Sequence, residues 1–213
     1  MTMLDETAAA AVVSIAKAMD EAGLAPNKSG NVSCRDGDGF LITPSGVPYR
    51  DLVPADVARL DATGDVRAAS RRPSSEWRMH AAIYRRRTDV QAIVHTHSPN
   101  ATALACAHRG LPAFHYMIAL AGGDVRCAPY ATFGSDELAA HAVTGLEGRR
   151  ATLLANHGVV AVGASLSAAL AVAVEIENMS RQFLALLAAG LEPRILDEAE
   201  MARVIEKFKD YGR

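Results

Sequence analysis

The sequence predicts one soluble α/β domain over residues 1–213, with helices layered on a sheet. Three observations lead there. A length of 213 residues is that of one domain. A balance of 50% hydrophobic to 22% charged residues belongs to a chain with a packed core, which excludes a disordered or fibrous protein. Short β-branched runs interleave with alanine-rich stretches but keep no strict β-α-β rhythm. That favours an α/β or α+β layering over a doubly wound sheet. No repeat, low-complexity tract or linker divides the chain, and it carries neither a GxGxxG nor a Walker sequence.

The elements follow in order. Residues 7–22 are alanine-rich, lack Gly and Pro, and are stopped by Gly23, so they predict a helix. Residues 26–31 are a loop. Residues 32–34 and 40–43 read as short strands around a Gly/Asp-rich tip, and residues 57–61 with 66 onward as a second hairpin. Ser74 or Ser75 is expected to cap a helix running to about Arg87. Residues 90–96 are a buried strand. Pro99 suits the first position of a short helix. Another helix starts at Ser135 and ends near Gly145. Residues 151–154 and 159–162 are two strands joined by Ala155-Asn156-His157-Gly158. A long helix over 165–189, stopped by Gly190, and an amphipathic helix over 197–209 complete the chain.

A formal net charge of −2 gives no general basic field, so nucleic acid is not an expected partner. Cys34, Cys106 and Cys127 are widely spaced and form no CxxC pair, which supports neither a disulfide framework nor a zinc knuckle. The acidic N-terminus lacks the basic start of a signal peptide, and no apolar run is long enough for a membrane. The expected location is the cytoplasm.

Val94-His95-Thr96-His97 is the sharpest local signal. In a strand, residues i and i+2 share a face about 6.6 Å apart, so His95 and His97 can reach one ion together. An isolated HxH pair is equally the exposed end of a strand. His157, on a tight turn between two apolar strands, offers a third imidazole for the same rim. Glu76 offers a carboxylate near a helix start, where its plainer role is to complement the dipole. His80 follows Glu76 by one helical turn, so a direct Glu76–His80 contact is expected. His108 and His141 read as solvated, and His115 as a satisfied interior residue.

The four lysines, Lys17, Lys28, Lys207 and Lys209, avoid the predicted strands, which disfavours a Schiff-base mechanism. Three loops combine flexible residues with hydroxyl or amide donors: Ser29-Gly30-Asn31, Ser45-Gly46 and Ser74-Ser75. If they meet, they form an anion site built from backbone and hydroxyl donors without a lysine.

These pieces occur within longer stretches that resemble a known family. They are Gly30-Asn31-Val32-Ser33, Leu41-Ile42-Thr43-Pro44-Ser45-Gly46-Val47-Pro48-Tyr49, Pro73-Ser74-Ser75-Glu76-Trp77-Arg78, Val94-His95-Thr96-His97, His115-Tyr116-Met117-Ile118, Ala128-Pro129-Tyr130-Ala131-Thr132-Phe133-Gly134, Asn156-His157-Gly158 and Glu206-Lys207-Phe208-Lys209-Asp210-Tyr211-Gly212. In this order they cover nearly the whole chain. The sequence resembles the class II aldolase/adducin superfamily, and most of all its L-fuculose-1-phosphate aldolase branch.

The resemblance implies a three-layer α-β-α fold with a mostly antiparallel sheet, and a homotetramer with active sites between subunits. It implies zinc held by His95, His97, His157 and Glu76, with Glu76 also the catalytic proton carrier. It assigns phosphate to Gly30, Asn31, Ser45, Gly46, Ser74 and Ser75. Tyr116 matches an acid that serves a neighbouring subunit's site, and Phe133 and Tyr211 match the aldehyde pocket. The implied reaction is reversible cleavage of a ketose 1-phosphate, L-fuculose-1-phosphate-like, to dihydroxyacetone phosphate and a small aldehyde. Alternatives are an aldolase for 5-deoxyribulose or methylthioribulose 1-phosphate, and a 4-epimerase or dehydratase of the superfamily. A non-catalytic adducin-like module fits poorly with an intact His/Glu set. Asn156 departs from the family's usual histidine.

Overall fold

The computed structural model describes residues 6–208. Its centre is one eight-stranded sheet in the order β4-β3-β2-β1-β5-β8-β7-β6. The strands are β1 (Asn31–Asp36), β2 (Gly39–Ile42), β3 (Ala58–Asp61), β4 (Val66–Ala68), β5 (Ala92–Thr96), β6 (Arg126–Ala128), β7 (Ala151–Leu154) and β8 (Gly158–Gly163). Every neighbouring pair is antiparallel except β6 with β7. The hairpins supply consecutive antiparallel strands through short turns. The exception, β6, was not legible in the sequence: three residues are too few to show a period of two.

Helices cover both faces. One face carries α1 (Glu6–Glu21), α3 (Pro99–Cys106), α5 (Leu166–Ala188) and α6 (Glu198–Phe208), packed on Val32, Val94, Val159 and Ala161. The other carries α2 (Trp77–Arg86) and α4 (Asp136–Gly145), packed on Ile93, Val160 and Val162. Alternation along each strand sends neighbouring side chains to opposite layers. The three-layer α/β expectation therefore holds.

Two starts differ from expectation or explain it. α2 begins at Trp77, not at the serines. Residues before it are used in a cross-chain turn: Ser74 N–H donates to Thr43 O at 3.1 Å, and Ser45 N–H to Arg72 O at 3.0 Å. Those bonds hold the backbone out of the helix, leaving Glu76 at its threshold. α3 starts at Pro99 as expected, but a distant carboxylate caps it. Glu177 of α5 accepts from Asn100 N–H at 3.0 Å and Ala101 N–H at 2.9 Å.

Candidate metal centre and its cavity

β1, β5 and β8 lie side by side, and this order brings separate motifs to one sheet end. In β1 and β5, Asn31 is paired with His95. The β7–β8 turn carries His157 to the same end. Gly158 permits the close approach, because a Cβ there would meet Thr96 O at 2.3 Å and a His97 ring carbon at 3.1 Å. Gly30, at φ +92°, likewise lies so near β5 that a Cβ would meet His95 O at 2.4 Å.

The three imidazoles stand edge-on to one another, with ring centroids 4.9 Å (His95–His97), 4.9 Å (His95–His157) and 4.8 Å (His97–His157) apart. Glu76 completes the group: its Oε2 is 3.0 Å from His95 Nε2 and its Oε1 3.2 Å from His157 Nε2. One donor atom from each of the four residues lies within 4.8 Å of the others. Glu76 and His95 are buried, while His97 and His157 are half-buried.

The donor chemistry fits a divalent cation. Val159 O accepts from His95 Nδ1 at 2.9 Å, so the lone pair of neutral His95 sits on Nε2. That lone pair faces His97 Nε2 at 3.1 Å and a carboxylate oxygen. Glu76 Oε1 is buried with no hydrogen-bond partner. Lone pairs converging without a proton or cation between them repel. Three nitrogens and one oxygen form a donor set suited to zinc. Without an ion, Glu76 and His95 titrate as a coupled pair: burial lowers the His95 pKa, but the Glu76 carboxylate more than offsets it, so that pKa is raised. Burial opposes ionisation of Glu76, but His95, His157 and the Asn31 amide more than offset it, so its carboxyl lies well below the usual range. Burial pushes His97 down to about 3 and His157 to about 4, with His95 adding to both. These two rings are therefore neutral, ligand-ready imidazoles at neutral pH.

The group opens on a cavity of about 340 Å³, and the three donor loops do meet in its wall: Gly30, Asn31, Ser45, Gly46, Ser74 and Ser75 all line it. Not all their donors are free. Ser45 Oγ donates to Pro73 O at 3.0 Å and accepts from Ser75 N–H at 3.2 Å. Asn31 Nδ2 donates to Glu76 Oε2 at 3.1 Å. Lys28 lines the same cavity, a lysine that the expected donor loops did not include. Lys28 reaches it from a tight turn in which Asn27 and Lys28 both have positive φ, a geometry that composition does not reveal.

Phe133 lines the cavity and is 67% exposed; Tyr130, which sequence reasoning did not single out, lines it too and is 56% exposed. Tyr116 does not line it. It opens a 3₁₀ helix (Tyr116–Ala121), stacks on His115 at 4.8 Å and is exposed. Tyr211 lies outside the described residues. His80 does not hydrogen-bond Glu76 directly; its ring bonds Asn31 and Ser33 instead. The helix start explains this: with Glu76 at the threshold of α2, the four-residue spacing does not stack the two side chains.

A mostly antiparallel α/β sheet thus gathers three imidazoles and a carboxylate beside a donor-lined cavity, the arrangement of a metal-dependent enzyme of the class II aldolase/adducin fold. Residues 10–184 match the Class II Aldolase and Adducin N-terminal domain. The chain belongs to that family and is a lyase of aldolase type, a class that uses a divalent metal. It is 50% identical over 202 residues to a 5-methylthioribulose-1-phosphate/5-deoxyribulose-1-phosphate aldolase of Rhodospirillum rubrum, covering 94% of this chain and 90% of that one. It is 45% identical over 195 residues to L-fuculose phosphate aldolase of Escherichia coli, covering 91% and 90%. A solved structure of an L-fuculose 1-phosphate aldolase superposes with a TM-score of 0.94 at 41% identity, covering 97% of this chain and 98% of that one. The chain is thus of the fuculose-phosphate/5-deoxyribulose-phosphate aldolase type.

Proposed function

We propose that the protein cleaves a ketose 1-phosphate reversibly into dihydroxyacetone phosphate and a short aldehyde. The observation that carries this reading is the Glu76/His95/His97/His157 group opening directly onto the cavity with the three donor loops. His95, His97, His157 and Glu76 would hold zinc. When bound, the ion supplies the positive charge that a developing enediolate needs. The chain does the rest. Gly30, Asn31, Ser45, Gly46, Ser74 and Ser75 bind the phosphate and orient the three-carbon half beside Glu76. In the synthetic direction Glu76 Oε1, which has no hydrogen-bond partner, takes the proton from the reacting carbon of dihydroxyacetone phosphate, and Tyr116 of a neighbouring subunit gives its hydroxyl proton to the aldehyde oxygen. Cleavage reverses both transfers, and the site is completed in a homotetramer. Phe133 and Tyr211 shape the aldehyde end. The chain works in the cytoplasm as one domain over residues 1–213; among the described residues no helix is long and apolar enough to cross a membrane.

Among substrates, 5-deoxyribulose and methylthioribulose 1-phosphates come first and L-fuculose 1-phosphate second, following the 50% and 45% identities to the corresponding relatives. The test is a product assay of metal-loaded protein on these three compounds with rhamnulose and ribulose 1-phosphates. Dihydroxyacetone phosphate is expected from at least one of the first three. Products formed without it, by epimerisation or dehydration, would overturn the reading.

A further inference from the structure

Beneath Glu76 runs a file of buried polar side chains, of which the reaction above uses only Asn31. Asn31, Ser33, His80 and Tyr84 are all buried, Ser33 and His80 completely. Their hydrogen bonds run in one direction only. A carboxylate accepts, so Asn31 turns its NH₂ group to Glu76 Oε2, 3.1 Å away. Asn31 Oδ1 then faces His80 Nε2 at 2.5 Å, and an amide oxygen also accepts, so His80 carries its proton on Nε2. His80 Nδ1 is left with a lone pair and takes the Ser33 hydroxyl proton at 2.6 Å. Ser33 Oγ in turn accepts from the Tyr84 hydroxyl at 2.8 Å. Burial keeps the ring neutral, and His95 reinforces this, with its pKa pushed down to about 3.

We infer that His80 is a positioning residue for Glu76. By fixing which end of the Asn31 amide faces the carboxylate, it anchors Oε2 and leaves Oε1 as the oxygen that exchanges a proton with substrate. An unheld amide could present Oδ1 to Glu76, and two acceptors would push the carboxylate out of place. His80 does not line the cavity, so it acts only through Asn31. A side chain placed here for packing alone would be apolar, since each buried polar atom carries a desolvation cost that only a complete network offsets. The inference rests on the reading that Glu76 carries the proton.

The experiment compares metal-loaded wild type, His80→Leu and His80→Gln in solvent-deuterium exchange of dihydroxyacetone phosphate, followed by NMR. Leu is expected to lower the exchange rate about 10- to 100-fold, with bound metal per chain, held by the three histidines, within about twofold of wild type. Gln, whose amide N–H can replace the Nε2–H donor, is expected to restore most of the rate. Equal losses in both variants, or none in Leu, would overturn the inference. A second measurement needs neither a folded variant nor a substrate. Nitrogen-15 NMR of the wild-type imidazoles at neutral pH should find His80 as the Nε2–H tautomer; an Nδ1–H or a charged ring would overturn the inference. Wild type that fails to exchange the proton would sink the proton-carrier reading and leave the tautomer result standing.

Discussion

The two faces of the sheet use the same strands for different ends. On the face under α1, α3, α5 and α6, β1, β5 and β8 present Val32, Val94, Val159 and Ala161 to Phe183, Ile176 and an alanine-rich helical layer. On the other face the same strands present Asn31, Ser33, Ile93, His95 and Val160, and buried polar atoms run from Tyr84 to the metal centre. One layer is held by apolar burial, which is non-directional and forgiving of small shifts. The other combines apolar packing around Ile93, Val160 and Val162 with a directional file of hydrogen-bonded polar side chains. The polar file is thus confined to one face of the sheet, one residue of register away from the apolar positions that meet α1, α3, α5 and α6.

Substitutions on each face test that separation. The largest effect belongs to the polar end: replacing His95 and His97 together by Ala should abolish stoichiometric metal binding and activity. Metal analysis showing full occupancy in that double variant would remove the proposed centre. Glu76→Gln comes next. With metal still held by three histidines, exchange of the dihydroxyacetone phosphate carbon-bound proton should fall by ~10²–10⁴. Exchange at the wild-type rate would strip Glu76 of its proton role. On the apolar face, Phe183 is 1% exposed with its ring 5.1 Å from that of Phe114. Phe183→Ala should cost about 3–5 kcal/mol in denaturant unfolding while leaving kcat per folded molecule unchanged. A matching collapse of kcat would show that the faces are not independent. The smallest effect is expected for Lys28→Ala. An exposed cation facing a phosphate contributes about 1 kcal/mol, so KM should rise by about fivefold at low salt and less at high salt.

How much of this was legible in the sequence follows the same division. Strand alternation is local, so the shared face of His95 and His97 could be read directly from their spacing. Glu76, His157 and the three donor loops are distant in sequence, and their meeting depends on β1, β5 and β8 being neighbours. Residue spacing carries no trace of that order; only the whole-chain resemblance pointed to it. The His80 network was missed because four residues along an assumed helix suggested a direct contact with Glu76. The helix instead begins after Glu76, and the intermediary, Asn31, comes from another strand. Lys28 was missed because a pair of left-handed residues has no compositional signature when neither is glycine.

Arg35 fastens the far end of the element that Glu76 introduces. Its guanidinium donates to Tyr84 O at 2.5 Å, Arg87 O at 2.9 Å and Val90 O at 2.7 Å, close to the last turn of α2. Asn31 and Arg35, four places apart on one strand, therefore clamp α2 at both ends, whereas Tyr130 and Phe133 line the cavity but stand largely in solvent. Evolution meets two very different tolerances here. A residue inserted into α2 would turn its remainder by about 100° and break the clamp. Exchanging an aromatic side chain on the rim disturbs neither anchor. Divergence within such a lineage has a natural outlet: the rim can change its side chains while the frame that holds Glu76 is inherited intact.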